Sequence, residues 1–139
     1  MKFNSQICTT KEQSERLLAL WLKKKTADMY YSHDKGEDIY AIRACWEDFW
    51  DSNKLIDGHI RRHCIPAWSI HRLIEMLNYQ VIHNSKKYEP VIAIDGMTYQ
   101  DVCNDDPIVG WSGDLYTDVI DCIQWLIKEG YFNKEYLEE

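Results

Sequence analysis

P90-V-I-A-I-D-G-M-T-Y-Q-D-V-C103 decides the architecture, because here the apolar period changes from helical to alternating. An Asp-Gly pair between two runs rich in β-branched and aromatic residues predicts a tight antiparallel hairpin, with residues 90–94 as one strand and 97–103 as the other. Upstream, Y79-Q-V-I-H83 adds a strand across the polar turn N84-S-K-K87. Downstream, N104-D-D-P107 interrupts the chain before a short apolar run from 108 to 111. The reading is a meander of three to four antiparallel strands.

Helical patterns flank the meander on both sides. Thr9 or Thr10 can cap a first helix, with Glu12 or Gln13 completing a capping box and Leu17, Leu18 and Trp21 on one face. T26-A-D-M-Y-Y31 predicts a second capped turn, followed by a polar loop. In D38-I-Y-A-I-R-A-C-W-E-D-F-W-D51, Ile39, Ile42, Trp46 and Phe49 are spaced three, four and three apart, which predicts a helix. Pro66 forces Ile65 toward an extended backbone. In W68-S-I-H-R-L73, Ser69 reads as an N-cap and Trp68 with Leu73 as a hydrophobic staple, placing Ile70, Leu73, Ile74 and Leu77 on the core side. After the strands, Leu115, Val119, Cys122, Ile123, Leu126 and Ile127 form a stripe, capped by Ser112 or Asp114 and stopped at Gly130. Asn133 can cap a last short helix, K134-E-Y-L-E-E139. The fold class is therefore α+β, with helices packed on one face of the small antiparallel meander.

A chain of 139 residues that is 45% hydrophobic has enough apolar material for a single domain, 1–139, and not for two comfortable ones. No stretch approaches the roughly 20 apolar residues of a membrane span, and the N-terminus lacks the apolar centre of a secretory signal, so a cytoplasmic location with no membrane association is expected. The five cysteines, at 8, 45, 64, 103 and 122, contain no C-x-x-C pair and read as reduced thiols.

Charge is unevenly distributed. Residues 1–70 carry 11 Lys/Arg against 10 Asp/Glu, a net of +1, and residues 71–139 carry 5 against 13, a net of −8, giving −7 in all. Between Lys87 and Lys128 there is no cation. Such a field attracts cationic partners and repels phosphate backbones. The favoured site is a partner-binding surface made of Asp114, Asp118 and Asp121, one carboxylate stripe on a helix, with Asp105 and Asp106 in the preceding loop. The spacing does not match a calcium-binding loop, and carboxylates at a helix start also complement its dipole. A basic protein is thus the expected partner. Nucleic acid is disfavoured, since only K23-K-K25 and R61-R-H63 support it.

Three other constellations carry chemistry in principle. His59, His63 and Cys64 are weak metal candidates: on a helix the two histidines would share a face, but Ile60 stands where a zinc hydrolase needs glutamate. Ser69 and His71 point apart on a helix, so capping outweighs a nucleophile and its base. Cys64 lies near His63 and His71 in sequence only, and an inert buried thiol is the commoner case. No phosphate loop, dinucleotide fingerprint or nucleophile elbow is present, and G110-W-S-G113 reads as a turn. No cofactor is expected and catalysis is disfavoured; the alternative is a metal-binding protein or a small-molecule enzyme without a recognised motif.

T10-K-E-Q-S-E-R-L-L-A-L20, T26-A-D-M-Y-Y31, I65-P-A-W-S-I-H-R-L-I-E-M-L77 and D121-C-I-Q-W-L-I-K-E-G-Y-F-N-K-E-Y-L137 resemble a group of small uncharacterised proteins from gut Bacteroidetes genomes and their prophage-like or mobile elements. The I-P-A-W-S block is the most specific. The resemblance implies a bacterial, phage-related accessory protein and no site residues. Residues 32–64 follow no pattern of the group and read as a variable insertion within the domain.

Overall fold

The computed structural model describes residues 6–32, 38–42, 46–56 and 58–138, with the backbone alone at 46, 47, 56 and 59. The described residues divide into two compact units, 6–72 together with 136–138, and 73–135.

The first unit is built around β1 (Met29–Tyr31), the centre of a three-stranded antiparallel sheet with β2 (Ile39–Ala41) on one side and β5 (Ile65–Ala67) on the other. Tyr30 stands opposite both Tyr40 and Pro66. A proline has no N–H to give a ladder, and β5 is an edge strand, where that loss is tolerated. Residues 29–31 therefore form a strand and not a capped turn; the 3-10 turn comes earlier, at Lys24–Thr26.

The helix expected over 38–51 is likewise split. Residues 39–41 are strand, and among the described residues of the segment α2 (Trp46–Trp50) is the helical part. Tertiary pairing overrides the helical spacing here. Ile39 packs against the buried cluster of Cys8, Tyr31 and Ala67, and Tyr40 stacks on Tyr30 with centroids 5.4 Å apart. Phe49 meets the same Tyr30 ring at 4.6 Å. A two-stranded hairpin of β3 (Leu55–Ile56) and β4 (His59–Ile60) precedes a 3-10 turn at Arg61–His63.

α1 (Lys11–Ala19) starts with the expected capping box: Gln13 N–H donates to Thr10 Oγ1 at 3.1 Å, and Thr10 N–H donates to Gln13 Oε1 at 2.9 Å. Its apolar face is narrower than the spacing suggests. Leu17 is fully buried, whereas Leu18 is exposed and Trp21 lies beyond the helix end with φ 70°. The chain's last described residues return to this unit, where Leu137 bridges Leu22 and Glu138 N–H donates to Trp21 O at 2.7 Å.

The boundary between the units falls within α3 (Ile70–Glu75). Ser69 caps it as expected, accepting from Arg72 N–H at 3.1 Å. The carboxylate of Asp28 in turn accepts from Ser69 N–H at 2.9 Å and from the Ser69 hydroxyl.

The second unit is the meander, β6 (Val81–His83), β7 (Lys86–Ala93), β8 (Gly96–Asp101) and β9 (Pro107–Gly110), paired in that order, with α4 (Leu115–Lys128) packed on β8 and β9. The expected α+β class and the four antiparallel strands are both present. The turns differ in detail. Asn84 and Ser85 both have positive φ, 49° and 65°, so β6 and β7 are joined by a two-residue turn shorter than N84–K87. In the next hairpin Ala93 pairs with Gly96, which makes Ile94 and Asp95 the turn and puts Gly96 inside the strand.

α4 buries Val119, Ile120, Cys122, Ile123 and Leu126 completely. At about 1.5 to 3 kcal/mol for each large aliphatic side chain, this stripe is a main contribution to the unit's stability. Asp114 caps α4 by accepting from Thr117 N–H at 3.0 Å. Gly130, with φ 79°, ends it, and Tyr131 N–H reaches back to Leu126 O at 2.9 Å.

Candidate functional site

The three helix aspartates singled out from the sequence, Asp114, Asp118 and Asp121, do not form one exposed stripe. Asp118 is fully buried and its carboxylate is committed to the fold, accepting from Met97 N–H at 3.0 Å and from Ser112 N–H at 2.8 Å. This corrects the expectation that it faces a partner. The reason lies in the strand end: Met97 and the loop after β9 present amides toward α4, and a carboxylate one turn into the helix satisfies both. Asp114 is half-buried and spent on its cap, with Thr117 Oγ1 also donating to it. Asp101, not singled out, is used in the same way, accepting from Cys103 N–H at 2.8 Å.

Asp105 and Asp106 remain exposed on the β8–β9 loop, where Gln100 Nε2 donates to Asp105 Oδ1 at 3.3 Å. Asp95 is exposed at the β7–β8 turn, and Asp121 is half-buried on α4. The Cys122 thiol is pushed up to about 12, first by burial and then by the charges of Asp118 and Asp121. Burial pushes the Tyr99 hydroxyl up as well, although it donates to Asn78 O at 2.7 Å.

One residue of this region left no signal in composition or spacing. Trp111 follows β9, has φ 72°, and is 55% exposed. The left-handed region costs a residue with a Cβ about 1 to 2 kcal/mol. The chain holds it there through Trp111 N–H donating to Met97 O at 2.8 Å and Ser112 N–H bound to Asp118. Gly110 permits the approach, since a Cβ at that position would lie 2.1 Å from Met97 O.

Further along the sheet, His83 sits against Trp125, Tyr131 and Tyr88, at centroid distances of 5.4, 5.9 and 6.2 Å, with Nδ1 2.8 Å from Tyr131 Oη. The cluster packs the inner face of β6 and β7 against α4 and was also missed, because it joins residues as far as 48 positions apart.

The metal candidates are not arranged as expected. His59 lies in β4 and His63 in a 3-10 turn, so no helix aligns them; the side chain of His59 is outside the described residues. Cys64 is buried and its Sγ lies 3.6 Å from Ser32 O and 3.7 Å from Ile60 O. Cys45 falls outside the described residues. Among the described residues, no three His, Cys, Asp or Glu side chains converge as a metal site. His71 is exposed, while Ser69 is bound to Asp28 and Arg72.

The two basic runs, by contrast, are brought together. The 3-10 turns Lys24–Thr26 and Arg61–His63 both pack on α2, and Lys24 Nζ donates to Arg62 O. Lys24 lies 4.9 Å over the Trp50 ring and Arg61 lies 5.2 Å over Phe49. Burial lowers the Lys24 pKa. The lysine is thus a packing element of the first unit.

That unit also has an open groove of about 330 Å³ lined by Thr10, Lys11, Glu12, Tyr31 and Ile39. Among the described residues, no helix is long and apolar enough to cross a membrane. Compared with known proteins, the chain matches no family model, no curated protein and no solved structure.

Proposed function

We propose that this protein is a non-catalytic interaction module whose second unit presents an acidic surface to a cationic protein partner. The observation that carries the reading is where the charge resides. Residues 73–135 hold 4 Lys/Arg and 11 Asp/Glu, a net of −7, while the remaining residues hold 12 of each, so one unit accounts for the whole net charge of −7. Asp95, Asp105 and Asp106 are exposed, as are Glu75, Glu129 and Glu135, while Asp121 is half-buried. Fields of this sign accelerate encounter with a basic partner and repel nucleic acid. The resemblance of four sequence blocks to proteins of prophage-like elements supports an accessory role in such an element.

Titration of the full chain with a lysine-rich peptide tests the reading. Affinity is expected to fall about tenfold or more between low salt and twice physiological salt, and to weaken again when Asp105, Asp106 and Asp121 are replaced by Asn. Binding that ignores both salt and these replacements overturns it.

A further inference from the structure

We infer that the anchoring point of this acidic surface is Trp111, and that the partner segment it accepts carries an arginine that stacks on the indole. The inference rests on the proposed acidic interaction surface and specifies its chemistry.

Two observations converge on Trp111. It is 55% exposed although held in a left-handed backbone conformation that glycine adopts without strain. Its backbone is also fixed on the β8 side. Trp111 N–H is bound to Met97 O, the next amide is bound to the buried Asp118 carboxylate, and the ring lies over Gly96, whose built-on Cβ would be 3.6 Å from Trp111 Cε3. A large aromatic surface presented by a locked loop loses little freedom on binding, which is how interface anchors are usually built. Backbone strain kept at an exposed side chain points toward use of that side chain.

The surroundings choose the occupant. Beside Trp111 lies the β7–β8 turn, with Ile94 98% exposed and Asp95 exposed next to Gly96. No Lys or Arg occurs from 88 to 127, so nothing in this stretch competes for the indole face or neutralises the carboxylates. An exposed indole next to a turn that carries one aliphatic side chain and one carboxylate suits a planar guanidinium with its methylene stem. Arginine stacks on indole while its fork binds carboxylate, which the compact ammonium of lysine does less well.

The test uses the full chain and two probes, a nona-arginine and a nona-lysine peptide, titrated calorimetrically at low salt. The native chain is expected to prefer the arginine peptide. Trp111→Gly, which relieves the backbone conformation and so leaves thermal stability equal or higher, is expected to abolish that preference with about a tenfold loss for the arginine peptide. Trp111→Phe keeps a ring and falls between the two. Should the Gly variant fail to fold, the Phe variant decides, because affinity equal to native overturns the inference. Salt-sensitive binding of both peptides that is indifferent to Trp111 overturns the arginine anchor and leaves the acidic surface standing. Failure of the native chain to bind either peptide overturns both.

Discussion

Replacing Gly96 by alanine is the sharpest test of how the second unit is held together. A Cβ at this position would lie 2.7 Å from Asp118 Oδ2, well inside ordinary contact. The carboxylate cannot retreat freely, since its two oxygens accept from Met97 N–H at 3.0 Å and Ser112 N–H at 2.8 Å and the side chain is fully buried. Alanine within a strand would by itself gain about 0.5 to 1 kcal/mol over glycine. Against this, losing one hydrogen bond to a charged group costs about 1.5 to 3 kcal/mol. The net expectation for Gly96→Ala is a destabilisation of about 1 to 2 kcal/mol. Asp118→Ala removes the obstacle but leaves two amides without their acceptor, at about 1 to 3 kcal/mol each. In the double variant the new methyl enters vacated space, so the pair is strongly non-additive, with a coupling of at least about 1 kcal/mol. Urea denaturation of the four proteins gives this number directly. Additivity within about 0.5 kcal/mol would refute the clamp, because distant, independent sites behave that way.

Three further expectations concern other parts of the molecule. Ser69→Ala should destabilise the protein by about 1 to 2 kcal/mol, less than additively with Asp28→Ala because the two side chains share one bond network; full additivity in urea melts would count against the shared cap. Stability should decline in alkali, since Cys122 is protonated in the fold up to about 12 but loses its proton near 9.0 when unfolded. The contribution is intact below that lower value and disappears as pH climbs toward the upper one, with Tyr99 acting in the same direction, and Cys122→Ala should flatten the decline in a pH series of melts. In a Cys45→Ser background, a thiol reagent should label exposed Cys103 rapidly and the buried Cys8, Cys64 and Cys122 only on unfolding; prompt labelling of more than one thiol would contradict this burial.

Local chemistry was legible wherever one short segment contained the whole argument. The Thr10/Gln13 box, the Ser69 and Asp114 caps and the Gly130 stop all depend on residues within a turn or two of each other. The meander was legible for the same reason, because its strands pair with their sequence neighbours. What stayed hidden depended on distant partners. Residues 39–41 carry helical spacing, yet pairing with 29–31 decides their conformation. Asp118 looked like a solvated acid because nothing in its own helix shows that Met97, 21 residues away, turns an amide toward it. Gly96 was read as a turn residue for its backbone freedom, whereas its role is to leave space for that carboxylate. Part of the acidity of the second unit, three of its eleven carboxylates, is therefore structural, with Asp101, Asp114 and Asp118 standing in for missing backbone acceptors.

The return of residues 136–138 to the first unit makes that unit discontinuous, with 73–135 inserted between its parts. A ribosome releases the chain in order, so every strand and helix of the inserted unit is available for folding before Leu137 can meet Leu22. Chain synthesis thus makes the inner unit available before the Leu22–Leu137 bridge can form. A chain halted short of residue 137 would hold every strand of the meander and lack the bridge to Leu22.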